Sequence, residues 1–183
     1  MQFSPRPRAL LVPAAAALAL VLSSCSDVQP ADQVSPGGSL SVSTSETPTA
    51  DAHDTAPITA EEPYGEVEDP GHGVTWHFQG TNPGDYGGTV VNIAVTNNND
   101  APLSPESLGQ PVLRYSTGNR MEEVDLLETS VPEGAMPLQI PLDRPLGVGA
   151  TTTLQYTFDI TRSNLSNAEF TFGNVTWKGS LIV

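Results

Sequence analysis

The chain has 183 residues, with 7 Lys+Arg against 21 Asp+Glu and a formal net charge of −14, a balance that repels nucleic acid and anionic surfaces and excludes nucleic-acid binding. Its single cysteine rules out an intrachain disulfide framework and the zinc patterns that need paired cysteines. Seventeen prolines and sixteen glycines exceed the usual share but stay below the level of a wholly disordered chain, so part of the sequence is expected to fold.

The first eight residues carry Arg6 and Arg8 and no acid, and Ala9 to Leu22, "ALLVPAAAALALVL", carry no charge. That apolar run is too short for a bilayer of about 30 Å, which needs about 20 residues, and it matches the core of a secretory signal. Residues 1–24 therefore read as a signal peptide. Leu22, Ser23, Ser24 and Cys25, "LSSC", close the run. All four positions resemble the lipobox of bacterial lipoproteins, where signal peptidase cuts before the cysteine. The resemblance implies that the Cys25 thiol receives a diacylglyceryl group by thioether linkage and that the new amino terminus can be acylated as well. Each buried methylene contributes about 0.8 kcal/mol, and two chains turn marginal adsorption into stable anchoring. An unpaired reactive thiol would otherwise be a liability in an oxidising compartment. The expected location is the extracytoplasmic face of the cell membrane, with the lipid as the membrane contact.

From Ser26 to Asp69 the sequence is rich in Ser, Thr, Pro and Ala and holds ten acids with no Lys or Arg. Such a stretch buries too little apolar surface to offset its ordering entropy, and its charges repel one another. Residues 25–69 are expected to form the lipidated cysteine and a disordered tether, with a root-mean-square reach of about 35 to 40 Å. Removal of residues 1–24 takes the charge to −16, ten of the acids lying in the tether. Its composition would accept O-linked sugar. Tyr64 is its one aromatic residue.

Residues 70–183 alternate between β patterns and turn signals. "GVTWHFQG" (Gly73 to Gly80) and "TVVNIAVTNN" (Thr89 to Asn98) read as strands around the turn "TNPGDYGG". "PVLRYST" and "EEVDLLE" flank "GNRM" like a hairpin, although Met121, Val124 and Leu127 also fit a short helix. "PLQIPL" suits only an edge strand because of its prolines. "TTTLQYTFDI" sets Thr152, Leu154, Tyr156, Phe158 and Ile160 on one face, the period of two that a half-buried strand requires. "AEFTF" and "VTWKGSLIV" complete the chain. The expected fold is an all-β antiparallel sandwich of about six to eight strands. Its core would contain Trp76, Phe78, Val91, Ile93, Val95, Leu113, Tyr115, Leu154, Tyr156, Phe158, Phe170, Phe172 and Trp177.

"IAVTNNNDAPL", a strand ending in asparagine and small polar residues, and "PLGVGATTTLQYTFDI", a glycine loop before an alternating strand, are similar to the immunoglobulin-like domains of secreted and lipidated actinobacterial proteins. The resemblance spans residues 73–183. It implies an envelope domain and carries no active site with it.

Little in the folded part calls for chemistry. His72 and His77 are the closest imidazoles, but on one strand a spacing of five would put them on opposite faces. Met121 and Met136 are soft donors that could complete a Cu(I) site with them. There is no G-x-S-x-G elbow or H-E-x-x-H pair. Glu122 and Glu123 would diverge on a strand. Asp100, Asp143 and Asp159 lack the spacing of a calcium loop. "NLS" at Asn164 and "NVT" at Asn174 match the N-glycosylation sequon, a short match that arises readily by chance. No catalytic residue and no cofactor are expected. The function that follows is a membrane-anchored lipoprotein whose sandwich is a non-catalytic binding or assembly module, partnered by another envelope protein or a small hydrophobic ligand. The alternative is copper or other metal handling through His72, His77, Met121 and Met136.

Overall fold

The strongest alternation in the sequence becomes the middle of a sheet. In the computed structural model, which describes residues 48–53 and 55–182, Thr151–Phe158 pairs antiparallel with Thr89–Asn97 on one side and with the short edge strand Gln139–Ile140 on the other. Numbered along the chain, the strands are β1 Ile58–Thr59, β2 Glu66–Asp69, β3 Val74–Pro83, β4 Thr89–Asn97, β5 Val112–Ser116, β6 Met121–Val124, β7 Gln139–Ile140, β8 Thr151–Phe158, β9 Ala168–Phe172 and β10 Val175–Gly179. Two five-stranded sheets result, in the orders β1-β10-β9-β5-β6 and β2-β3-β4-β8-β7. The all-β, antiparallel sandwich expected from the sequence is the fold. Among the strands of the described residues, β1 and β10 alone pair in parallel. No helix among the described residues is long and apolar enough to cross a membrane.

Aromatic side chains join the two sheets. Trp76 and Phe78 project inward from β3 and meet Phe172 at 4.7 Å and Phe170 at 5.8 Å, centroid to centroid, from β9. Trp177 of β10 packs on Phe78 and Phe170. All five are buried, as are the aliphatic residues expected in the core. Each fully buried large apolar side chain contributes about 1.5–3 kcal/mol. Tyr115 departs from the expectation and is half-buried near the β5–β6 edge, where Glu122 lies opposite it.

A bulge at Gln79 decides how the carboxyl-terminal segment is held. Phe78 pairs with Ile93 but Gly80 pairs with Asn92, so the phase of β3 shifts by one residue. An extra residue of this kind re-aims the side chains that follow it. Thr81 is thereby turned inward, and its buried hydroxyl donates to the Leu181 carbonyl at 2.6 Å.

The structure departs from the sequence reading in three places. The hairpin expected around "GNRM" forms, but its second strand, Met121–Val124, stops early in "EEVDLLE", and the helix the spacing also allowed gives way to it because Leu113 and Val124 pair on the core face of the β5–β6 hairpin. The described residues hold ten strands because β1 and β2 were hidden in the acidic stretch. The tether boundary expected after Asp69 lies inside the sandwich, since β2 pairs along β3 from Glu66↔His77 to Asp69↔Val74. Upstream of β2, a strap crosses the domain: Ala50 N–H donates to the Pro102 carbonyl, His53 to Gly71, Ile58 to Asn174 and Ala60 to Thr176. The signal peptide, Cys25 and the tether as far as residue 47 lie outside the described residues.

Candidate functional site

The four candidate metal donors are not brought together. His72 sits in the turn between β2 and β3, because the strand starts only at Val74 after Gly73 adopts φ +61°. His77 lies within β3, half-exposed between Glu66 and Ala94 of the flanking strands. Met121 begins β6 in the opposite sheet, and Met136 is 67% exposed in the connection to β7. Among the described residues no three His, Cys, Asp or Glu side chains lie close enough to share a metal. Glu122 and Glu123 diverge as expected, Glu123 toward Arg114 and Glu122 toward Tyr115 and Arg120.

What the fold does assemble is a polar knot around Asp69, one of the ten acids assigned to the tether. Asp69 ends β2 fully buried. Its Oδ1 accepts the Gly71 N–H at 3.1 Å and the Asn174 side-chain amide at 3.1 Å. Its Oδ2 accepts the Trp76 indole N–H at 3.2 Å, the Asn174 N–H at 3.1 Å and the His72 Nδ1–H at 2.8 Å. Burial pushes the carboxyl up, but the Asn174 N–H, the Trp76 indole, the Asn174 amide and His72 together hold it below the ordinary carboxylate range. The anion is the form these donors fit.

Three glycines make room for the knot. A Cβ on Gly71 would overlap Asn174 Nδ2 and come within 2.6 Å of Thr55 Oγ1 and 2.7 Å of the His53 carbonyl. One on Gly173, at φ +57°, would lie 2.7 Å from Asp69 Oδ2. One on Gly73 would overlap the Asn99 side chain. Asn174 also donates to Thr55 Oγ1 at 2.9 Å, so the same residue holds the strap, the β2–β3 turn and the β9–β10 turn.

A second knot adjoins it. Asn97, fully buried at the end of β4, donates to the carbonyls of Ala101 and Leu146 at 3.0 and 2.9 Å. Its own Oδ1 accepts from the Asn99 backbone and amide, and Asn99 donates to the His72 and Gly73 carbonyls. The "NNND" run is thus the tie between loops at this end of the sandwich.

Chemically, the Asp69–His72 pair is a histidine oriented by a carboxylate. Among the described residues His72 hydrogen-bonds through its ring to Asp69 and Asn174, and no serine, threonine or tyrosine hydroxyl bonds to it. Its arrangement serves to clamp the strap. The sequon at Asn174 falls on an amide already committed to Asp69 and Thr55, whereas Asn164 is exposed. Sequence reasoning missed the knot because Asp69 was counted as one more solvated acid; the signal available was "DPGHG", an acid followed by turn residues directly before an alternating strand. Comparison of the chain with protein-family models, curated proteins and solved structures finds no match.

Proposed function

We propose that the protein is a lipid-anchored, extracytoplasmic envelope protein whose sandwich is a non-catalytic binding or assembly module. The observation that carries this reading is "LSSC" at the end of an uncharged segment preceded by Arg6 and Arg8. The strap supports it. A domain tied to a membrane through its amino-terminal side is loaded at the point where the chain enters, and there Ala50, His53, Thr55 and Ile58 are fastened to the sandwich. The acids before and within the domain repel an anionic surface and hold the sandwich off the bilayer. Anchoring confines the domain to a shell near the membrane at high effective concentration, which favours partners bound to the same membrane.

The test is direct. Cys25→Ala abolishes incorporation of labelled fatty acid and leaves an uncleaved or mislocalised precursor. A variant that is still labelled and fractionates like the wild type overturns the anchor. Crosslinking in intact cells should then recover a membrane-bound envelope protein from the wild type and lose it in Cys25→Ala.

A further inference from the structure

The buried polar side chains of this domain are satisfied within the protein, with two exceptions. Asp69, Thr81, Thr89, Asn97 and Thr157 all hydrogen-bond inside it. The Trp177 indole N–H has no partner among the described residues and is sealed in the core. The Tyr156 hydroxyl also has no partner among the described residues. Tyr156 is 4% exposed and lines a groove of about 430 Å³.

The groove opens at one side of the sandwich, between the 3-10 turn Pro105–Leu108 and the chain leaving β7. Pro105, Leu108, Pro141 and Leu142 supply its apolar walls, with Glu106 and Gln110 at its polar margin. Tyr156 is held by its strand position between Val91 and Gln139, and its ring meets Phe172 edge-on at 5.5 Å. Burial pushes the phenol up to about 12, so it is a neutral donor across the physiological range. A hydrogen-bond donor held among apolar side chains is how small-ligand sites impose orientation, and such sites span about 300–1,000 Å³.

Resting on the reading of the sandwich as a binding module, we propose that this groove takes a small neutral amphiphile. Its one acceptor oxygen receives the Tyr156 hydroxyl proton, and its apolar body lies between Leu108, Leu142 and the two prolines. Charge selects the class. Glu106 stands at the groove and no Lys, Arg or His lines it, so an anion meets repulsion with no countercharge. A hydrocarbon fills the walls but leaves the hydroxyl unpaired in a desolvated site, which is the costly outcome.

The chain has four tyrosines, so ring-labelled tyrosine gives a simple NMR spectrum on the full chain. The probes are acetophenone, ethylbenzene, which lacks the acceptor, and benzoate, which carries a charge. Acetophenone should shift the Tyr156 resonance saturably and bind about tenfold more tightly than ethylbenzene, the size of one added hydrogen bond. Benzoate should not saturate. In Tyr156→Phe, where the reporter ring is gone and binding is read from the probes' own NMR signals, the two neutral probes should have equal affinity. Leu142→Asp, a change at a half-buried wall, should abolish both while leaving the tyrosine spectrum folded. Equal affinities in the wild type, a ratio unchanged in Tyr156→Phe, saturation by benzoate, or binding indifferent to Leu142→Asp would each overturn the groove. The envelope reading fails by a different measurement, the lipid labelling of Cys25, so a flat titration with normal labelling removes the groove alone.

Discussion

Asn174 gives Asp69 two hydrogen bonds across the sandwich, its backbone N–H to Oδ2 and its side-chain amide to Oδ1, each at 3.1 Å. Asp69 ends a strand of one sheet and Asn174 lies in the turn between two strands of the other. A single carboxylate therefore ties the two sheets together at the end where the strap crosses.

Replacing that carboxylate should be severe. In Asp69→Ala the Trp76 indole, the Asn174 N–H and the Gly71 N–H all lose their acceptor in a buried site. The expected loss is about 3–5 kcal/mol, the range for breaking a buried charged pair. Urea unfolding measures it, and a change below about 1 kcal/mol, the scale of an exposed ion pair, would show that the knot does not stabilise the domain.

The same site predicts a pH dependence. Because the folded protein holds the Asp69 carboxyl below its ordinary value, the associated stability is fully present above the unfolded value, about 3.9 for aspartate, and is lost as pH falls through the lower folded value. The stability difference between wild type and Asp69→Asn should shrink as pH falls below about 4. Unfolding curves for both proteins across that range decide it; a difference that grows on acidification has the wrong sign.

Gly71→Val should lift the strap and leave the sandwich folded. The new side chain occupies the space of Asn174 Nδ2, Thr55 Oγ1 and the His53 carbonyl. Hydrogen exchange should show the amides of Ile58 and Ala60, bonded to Asn174 and Thr176, losing protection by about a hundredfold while those at the centre of β8 keep theirs. Equal loss in both places would mean that the strap and the sandwich unfold as one unit.

The sandwich was legible because alternation is a local property. Leu154, Tyr156 and Phe158 declare their common face without reference to any other strand, and they are buried together. The strap and knot were not, because they exist only through distant partners. Asp69 reads as a solvated acid until Asn174 and Trp76 arrive, and Ile58 reads as a tether residue until β10 offers its edge. The Tyr156 groove was illegible for the opposite reason: its pattern says core, and only the packing shows one polar atom left without a partner.

The two tryptophans provide a paired test of hydrogen bonding at constant chemistry. Both are fully buried in the same aromatic cluster, but Trp76 Nε1 donates to Asp69 at 3.2 Å while Trp177 Nε1 has no partner among the described residues. Tryptophan to phenylalanine removes similar volume at either site and leaves a void of comparable size. At Trp76 it also removes a donor from a buried anion; at Trp177 it removes a donor that was already unsatisfied. Trp76→Phe should therefore cost more than Trp177→Phe, by about 1–3 kcal/mol. Chemical denaturation of the two variants under one set of conditions makes the comparison. Equal losses would mean that the Trp76–Asp69 bond adds nothing beyond the packing of the ring, and that the knot depends on Asn174 and the turn amides alone.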